Sequence, residues 1–142
     1  MRAVFILVIM LFLHAFADYH LQGILASMKR KKWWEQHIKS DYDREMYSND
    51  YKAALITHAF EWAFIVTLPC LGSIYYACVD LSWPNARKGA VYILLLIAST
   101  FIHCLVDDLK CNDRKINLIE DQYLHVAQIV VLWLTWTIYI GW

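Results

Sequence analysis

Apolar and polar positions fall in long blocks along this chain rather than in short alternations. Four runs rich in Leu, Ile, Val and Trp extend from Ala3 to Gln22, Tyr51 to Leu68, Gly89 to Leu109 and Asp121 to Ile140, and each is apolar on nearly every face. Runs of about 20 apolar residues match the hydrocarbon thickness of a bilayer, where only a helix satisfies its own backbone. The pattern therefore predicts an all-α fold. It reads as a four-helix transmembrane bundle, a single integral membrane domain over residues 1–142. Pro69 is expected to end or kink the second span. Trp83-Pro84-Asn85 reads as a turn, and Trp133, Trp136, Tyr139 and Trp142 read as an aromatic belt at the far interface.

Composition agrees. Of 142 residues 60% are hydrophobic, 15% aromatic and 18% charged, with a formal net charge of zero; soluble domains average about 45–50% apolar and about 25% charged. The missing basic excess excludes a nucleic-acid partner. Four scattered cysteines without a C-x-x-C pair argue against a zinc knuckle or a disulfide scaffold. Cys70 and Cys78 are expected near the outer face, where pairing is open to them and packing is the preferred role. Arg2, the apolar run and Ala15-Phe16-Ala17 also fit a secretory signal cleaved before Asp18. We read the segment as a span instead, because His14 and Asp18 begin a pattern that recurs later.

Four spans put both termini on one side. Ten of the thirteen basic residues (Lys29, Arg30, Lys31, Lys32, Lys39, Arg44, Lys52, Lys110, Arg114 and Lys115) fall on the other, leaving Arg2, Arg87 and Lys88. The positive-inside rule makes that basic side cytoplasmic and the termini extracytoplasmic. Residues 23–50 lie there, mixing Lys29 to Lys32 with Trp33-Trp34 and with Glu35, Asp41, Asp43, Glu45 and Asp50. Their plain reading is a short interfacial helix. The alternative is a lid or a binding surface for an anionic lipid or phosphate.

The exceptions inside the spans carry the chemistry. Ionisable residues at membrane depth are expensive and so are usually functional. His14 and Asp18 are four apart on the first span, with Gln22 continuing the face. His58 is on the second, with Glu61 three residues on. His103 and Asp107 are four apart on the third. Asp121 and His125 are four apart on the fourth, with Gln128 a turn further. Residues four apart share a helix face. The alternating span directions bring all four groups to one layer on the cytoplasmic side. Four imidazoles and three carboxylates suit one or two divalent ions, with Zn²⁺ first and Fe²⁺ or Mn²⁺ as alternatives. His14, Asp18, His58, His103, Asp107, Asp121 and His125 are the expected ligands. His20 and His37 lie outside the pattern, and Asp108 is expected at the interface.

The motifs His14-x-x-x-Asp18-Tyr19-x-Leu21-Gln22, a mid-chain His58, His103-x-x-x-Asp107-x-x-Lys110 and Asp121-Gln122-x-x-His125 resemble, in order and over nearly the whole chain, the DUF3307 family of small bacterial and phage membrane proteins. The family brings no settled activity. It looks related in character to predicted membrane-bound metal-dependent hydrolases, and the resemblance implies a bacterial inner membrane and adds Lys110 and Gln122 to the candidates. Ala17 departs from the family's usual glycine before the aspartate.

These readings favour a membrane-embedded metal-dependent hydrolase acting on a phosphoester or lipid-type substrate at the cytoplasmic face. Glu61 is its expected general base and Lys110 or Arg114 its phosphate contact, with Gln22, Gln122 and Gln128 supporting the ligands. The expected partners are the bilayer and that substrate, and a homo-oligomer is left open. The alternative is a proton or transition-metal transporter or sensor built on the same layer. That reading needs a polar path through the outer halves of the spans, where Thr100, Thr135 and Thr137 are sparse. Haem ligation has no use for an aspartate four residues from a histidine. A non-enzymatic phage or host membrane interaction protein is the plain remaining class.

Overall fold

A computed structural model describes residues 1–77 and 83–141 of the chain. Among them are eight α-helices and no strand: α1 (Arg2–Phe16), α2 (Leu25–Met28), α3 (Lys31–His37), α4 (Asp41–Met46), α5 (Asp50–Val66), α6 (Leu68–Ala77), α7 (Trp83–Cys111) and α8 (Leu118–Tyr139). A π turn, Ala17–Leu21, continues α1. By length and composition two segments can cross a membrane, Arg2–Leu21 and Arg87–Cys111. Asp50–Val66 with Leu68–Tyr75 makes a third if this pair, bent by 48°, is one span. The bend falls where Pro69 predicts it. Thr67 Oγ1 donates to the carbonyls of Ala63 and Phe64 at the break, drawing the last turn of α5 inward.

The fourth expected span coincides with α8. This helix is 22 residues long but is not among the apolar candidates. Glu120, Asp121, Gln122, His125 and Gln128 crowd its first half and lower its hydropathy. Trp83-Pro84-Asn85, expected as a turn, forms the first turn of α7 instead. Proline fits there because first-turn N–H groups have no intrahelical acceptor. The 23–50 stretch contains three short helices, α2 to α4, rather than one.

Helix α1 packs on α5 and α8, and α7 packs on the same two. Their shared core holds Met10, Trp62, Ala63, Val66, Ile129, Leu132 and Trp136. The buried face of α8 reads Asp121, His125, Ile129, Leu132, Trp136, a 4-4-3-4 spacing that is one helical stripe. Trp136 therefore belongs to the core rather than to an aromatic belt, and its indole N–H donates to Ser73 Oγ at 3.1 Å. Trp133 is half-buried and bonds Ala3 O, Tyr139 is exposed, and Trp142 lies outside the described residues. Cys70 is buried and free, while Cys78 lies outside the described residues. The outer surface carries Val4, Phe5, Val8, Phe12 on α1, Ile56, Phe60 on α5, and Ile93, Leu94, Ile97, Phe101 on α7. So continuous an apolar exterior matches lipid contact and not water.

The N-terminus of α8 sets the position of Asp121 and is fixed by a capping box. Asn117 Oδ1 accepts from the N–H groups of Ile119 and Glu120, and Glu120 Oε2 accepts from Asn117 N–H. Asn117→Ala is expected to cost about 1 kcal/mol, read as a lower thermal midpoint in detergent. Asn117→Ser should recover most of it, and an unchanged midpoint for the alanine variant would mean that packing alone holds this end.

Candidate metal centre

Seven ionisable side chains converge between α1, α5, α7 and α8. His14, Asp18, His58, His103, Asp107, Asp121 and His125 are all 4% exposed or less. The π turn matters to this convergence, because it begins one residue before Asp18 and buries Ala17 and Asp18 while Tyr19, His20 and Leu21 stay exposed. Such turns within α-helices are rare and concentrate at functional sites.

The inner faces of six of these residues form a loose ring. His58 Nε2 is 3.3 Å from His103 Nε2, 3.4 Å from Asp18 Oδ1 and 3.4 Å from Asp107 Oδ2. His125 Nε2 is 3.3 Å from Asp121 Oδ1 and 3.6 Å from Asp107 Oδ1. His103 Nε2 is 3.8 Å from Asp107 Oδ2. Nitrogen–oxygen hydrogen bonds are shorter, about 2.7–3.2 Å. Neighbouring ligand atoms of a tetrahedral ion with bonds of about 2.0–2.1 Å stand about 3.3–3.4 Å apart. Three overlapping sets are close enough to share an ion: Asp18, His58 and His103; His103, Asp107 and His125; Asp18, Asp121 and His125.

The outer faces of the same carboxylates are held differently. Asp107 Oδ2 accepts from Lys29 Nζ at 2.5 Å, Asp121 Oδ2 accepts from Lys110 Nζ at 2.5 Å, and Asp18 Oδ2 accepts from Gln122 Nε2 at 2.9 Å. Gln122 also donates to Asp121 Oδ2 at 3.1 Å. Each aspartate thus has its Oδ2 held by a lysine or by Gln122, and the Oδ2 of Asp107 also borders the ring at His58 and His103. Each Oδ1 is buried without a hydrogen-bond partner, as are both ring nitrogens of His125 and Nδ1 of His103. A buried acceptor left unmade costs about 1–3 kcal/mol, so three of them beside imidazole nitrogens leave a cation something to satisfy. The donor set of imidazole nitrogen and carboxylate oxygen fits a divalent ion.

His14 is in the cluster but does not fit as a ligand. The Trp62 indole, which can only donate, gives its N–H to His14 Nδ1 at 2.8 Å. The proton of a neutral His14 therefore sits on Nε2, which faces Gln122 Oε1 at 3.1 Å. Both nitrogens are in use. The chain Trp62 to His14 to Gln122 also fixes which end of the Gln122 amide faces Asp18 and Asp121. His14 orients the carboxylates through Gln122 instead of binding an ion. Trp62 stacks on His103 at 4.2 Å between centroids, and His103 on His125 at 4.1 Å, which aligns the three rings.

Other expected residues lie elsewhere. Glu61, three residues from His58, is exposed, because the buried stripe of α5 runs through Leu55, His58, Ala59, Trp62 and Val66 and leaves position 61 outside it. Gln128 donates to Ser99 O at 2.8 Å and ties α8 to α7 a turn beyond the cluster. Gln22 is half-buried, with its Oε1 unpartnered. Asp108 accepts from Asn112, and His20 and His37 are exposed. Lys29 and Trp62 were not legible as site residues. Lys29 is one of four consecutive basic residues, and Trp62 sits in an apolar run. The available signal for Lys29 was the need of three carboxylates at one depth for cations. No family model, curated protein or solved structure matches the chain.

Lys29 crosses to the centre from the end of α2, and Asn112 holds its backbone by donating to Lys29 O and accepting from Lys31 N–H. Breaking a buried ion pair from one side costs about 3–5 kcal/mol. Lys29→Met is therefore expected to lower the thermal midpoint of metal-free protein sharply, and the Lys29→Met, Asp107→Asn double variant to regain much of the loss. A double variant no more stable than the single one would show that Lys29 acts through packing.

Proposed function

We propose that this chain is a membrane-embedded metal-binding protein whose centre supports hydrolysis of a phosphoester or lipid-type substrate at the cytoplasmic face. The observation that carries the reading is the split of the three aspartates: every Oδ2 is held by a lysine or by Gln122, and every Oδ1 is buried without a hydrogen bond, 3.3 to 3.6 Å from the Nε2 of His58 or His125. One or another of the three overlapping sets among the six residues of the ring would hold a divalent ion, with Zn²⁺ first by donor type and Fe²⁺ or Mn²⁺ next. When bound, such an ion lowers the pKa of a coordinated water and polarises a scissile oxygen. In this proposal α1, α5 with α6, α7 and α8 form a four-helix transmembrane bundle, with the basic loops cytoplasmic and the termini outside. Kinship with the DUF3307 proteins is part of the same proposal and rests on the four motifs.

The chain's own groups have distinct parts. Gln122, set by His14 and Trp62, holds Asp18 and Asp121 at fixed angles. Lys29 and Lys110 hold the remaining outer oxygens and offset charge. Glu61, exposed and outside the buried stripe of α5, has no part as a base at this centre. The apolar shell excludes bulk water from these atoms.

Protein purified in detergent from metal-replete cells should carry about one equivalent of a divalent ion by elemental analysis, the ligand count of one structural or catalytic site. His103→Ala should abolish it. Gln122→Ala should weaken affinity about 10- to 100-fold, as loss of a ligand-orienting partner does. Metal-free wild-type protein that takes up no ion on dialysis would sink the proposal. A protein that binds metal but shows no metal-dependent release of phosphate or fatty acid from ester substrates would leave the site and remove the hydrolase.

A further inference from the structure

Beside the candidate metal centre, where α3 meets the C-terminal end of α7, a cleft of about 390 Å³ opens to the surface. Arg30, Lys32, Lys110 and Arg114 line it, with Trp33 and Gln36, and no carboxylate does. Three of these four cations are uncompensated. Arg44 and Lys115 elsewhere on this side are paired with Asp41 and Asp113. Arg30, Lys32 and Arg114 make no ion pair among the described residues, and Arg30 reaches only Ser27 Oγ. Lys110 is shared between the cleft and the centre, since its Nζ also bonds Asp121.

The backbone adds a second, independent observation. Arg114 has φ 55, and it is the one non-glycine residue with positive φ among the described residues. It follows the end of α7, where Asp113 N–H bonds Asp108 O and Lys115 N–H bonds Leu109 O. A left-handed residue after a helix is usually glycine or asparagine, because a side chain there is strained. Here that position carries a guanidinium lining the cleft. Strain of this kind concentrates where a side chain binds something. Guanidinium groups present paired donors that match phosphate oxygens, ammonium groups add point charge, and Gln36 offers a neutral amide.

We propose that this cleft binds the phosphate group of an anionic ligand, either a soluble phosphate ester or a phospholipid headgroup. The assignment of that ligand as substrate rests on the hydrolytic reading above; binding itself does not. Lys110 then stands between the bound phosphate and Asp121, and the cleft delivers the ligand to the edge of the centre.

The test uses the full chain in phosphatidylcholine nanodiscs treated with EDTA, so that anion binding is read apart from metal. One arm adds inorganic phosphate and follows ³¹P line width and thermal midpoint. The other replaces part of the phosphatidylcholine with phosphatidic acid. A response to phosphate supports a soluble ester, and a response to phosphatidic acid alone supports a headgroup. Arg114→Gly is expected to keep or raise the midpoint without ligand, since glycine relaxes the backbone. It should also weaken the responding anion about tenfold, the loss of one charge-assisted contact. Lys32→Gln should weaken it similarly. Silence in both arms, or responses undiminished in Arg114→Gly and Lys32→Gln, overturns the proposal. Metal uptake that survives such a result leaves the centre standing, and anion binding in a protein that takes up no metal leaves the cleft standing.

Discussion

Three aspartates buried in an apolar shell impose the constraint to which the other parts of the structure answer. An ionised carboxylate taken from water is paid for only by cations and donors placed at its oxygens. Asp107 draws Lys29 in from the end of α2, Asp121 draws Lys110 down from the end of α7, and Asp18 takes the Gln122 amide from α8. These contacts tie segments far apart in sequence. They also explain why Lys29, adjacent to exposed residues, is itself 4% exposed. Asn112 reinforces the crossing by gripping the backbone on both sides of Arg30.

The interior so formed is the inverse of a soluble core. Polar groups occupy one level of the helix contacts, and Phe5, Phe12, Phe60 and Phe101 face outward. Below the polar level the same helices pack conventionally around Met10, Val66, Leu132 and Trp136. The stacked rings of Trp62, His103 and His125 join the levels. A stack of flat rings resists rotation, so His125 keeps its direction although neither of its nitrogens has a hydrogen bond. That rigidity is what a preorganised ligand set needs.

Much of this was legible in the chain itself. The i, i+4 pairs His103/Asp107 and Asp121/His125 were readable because helix geometry forces such residues onto one face, and Pro69 was readable because it cannot continue a helix unchanged. The apolar blocks gave the long helices, though α8 carries enough polar side chains to fall below a span by composition. What escaped was set by tertiary contact. Nothing local distinguishes Lys29 from Lys31. The exclusion of His14 from the ligands depends on the direction of one Trp62 hydrogen bond. Glu61 looked eligible at three residues from His58, yet the buried stripe of α5 passes it by. Trp136 looked interfacial by position near the chain's end, but its spacing from Leu132 and Ile129 places it inside.

Charge balance decides how many ions the centre suits. With neutral imidazoles, Asp18, Asp107 and Asp121 contribute three negative charges, against two positive charges from Lys29 and Lys110, which leaves a net of minus one. A single divalent ion brings the cluster to plus one. Two would bring it to plus three in a low-dielectric shell, where unbalanced charge is most costly. From the sequence, with neither lysine placed against an aspartate, one ion and two were both allowed. The lysines remove that equivalence. They also give the metal-free protein a stable state of its own, since two of the three carboxylates are already paired. Metal affinity in such a centre is the difference between two compensated states, not the rescue of an unfolded one. This is why the orphaned Oδ1 atoms, rather than the number of acidic residues, measure what an ion has left to gain.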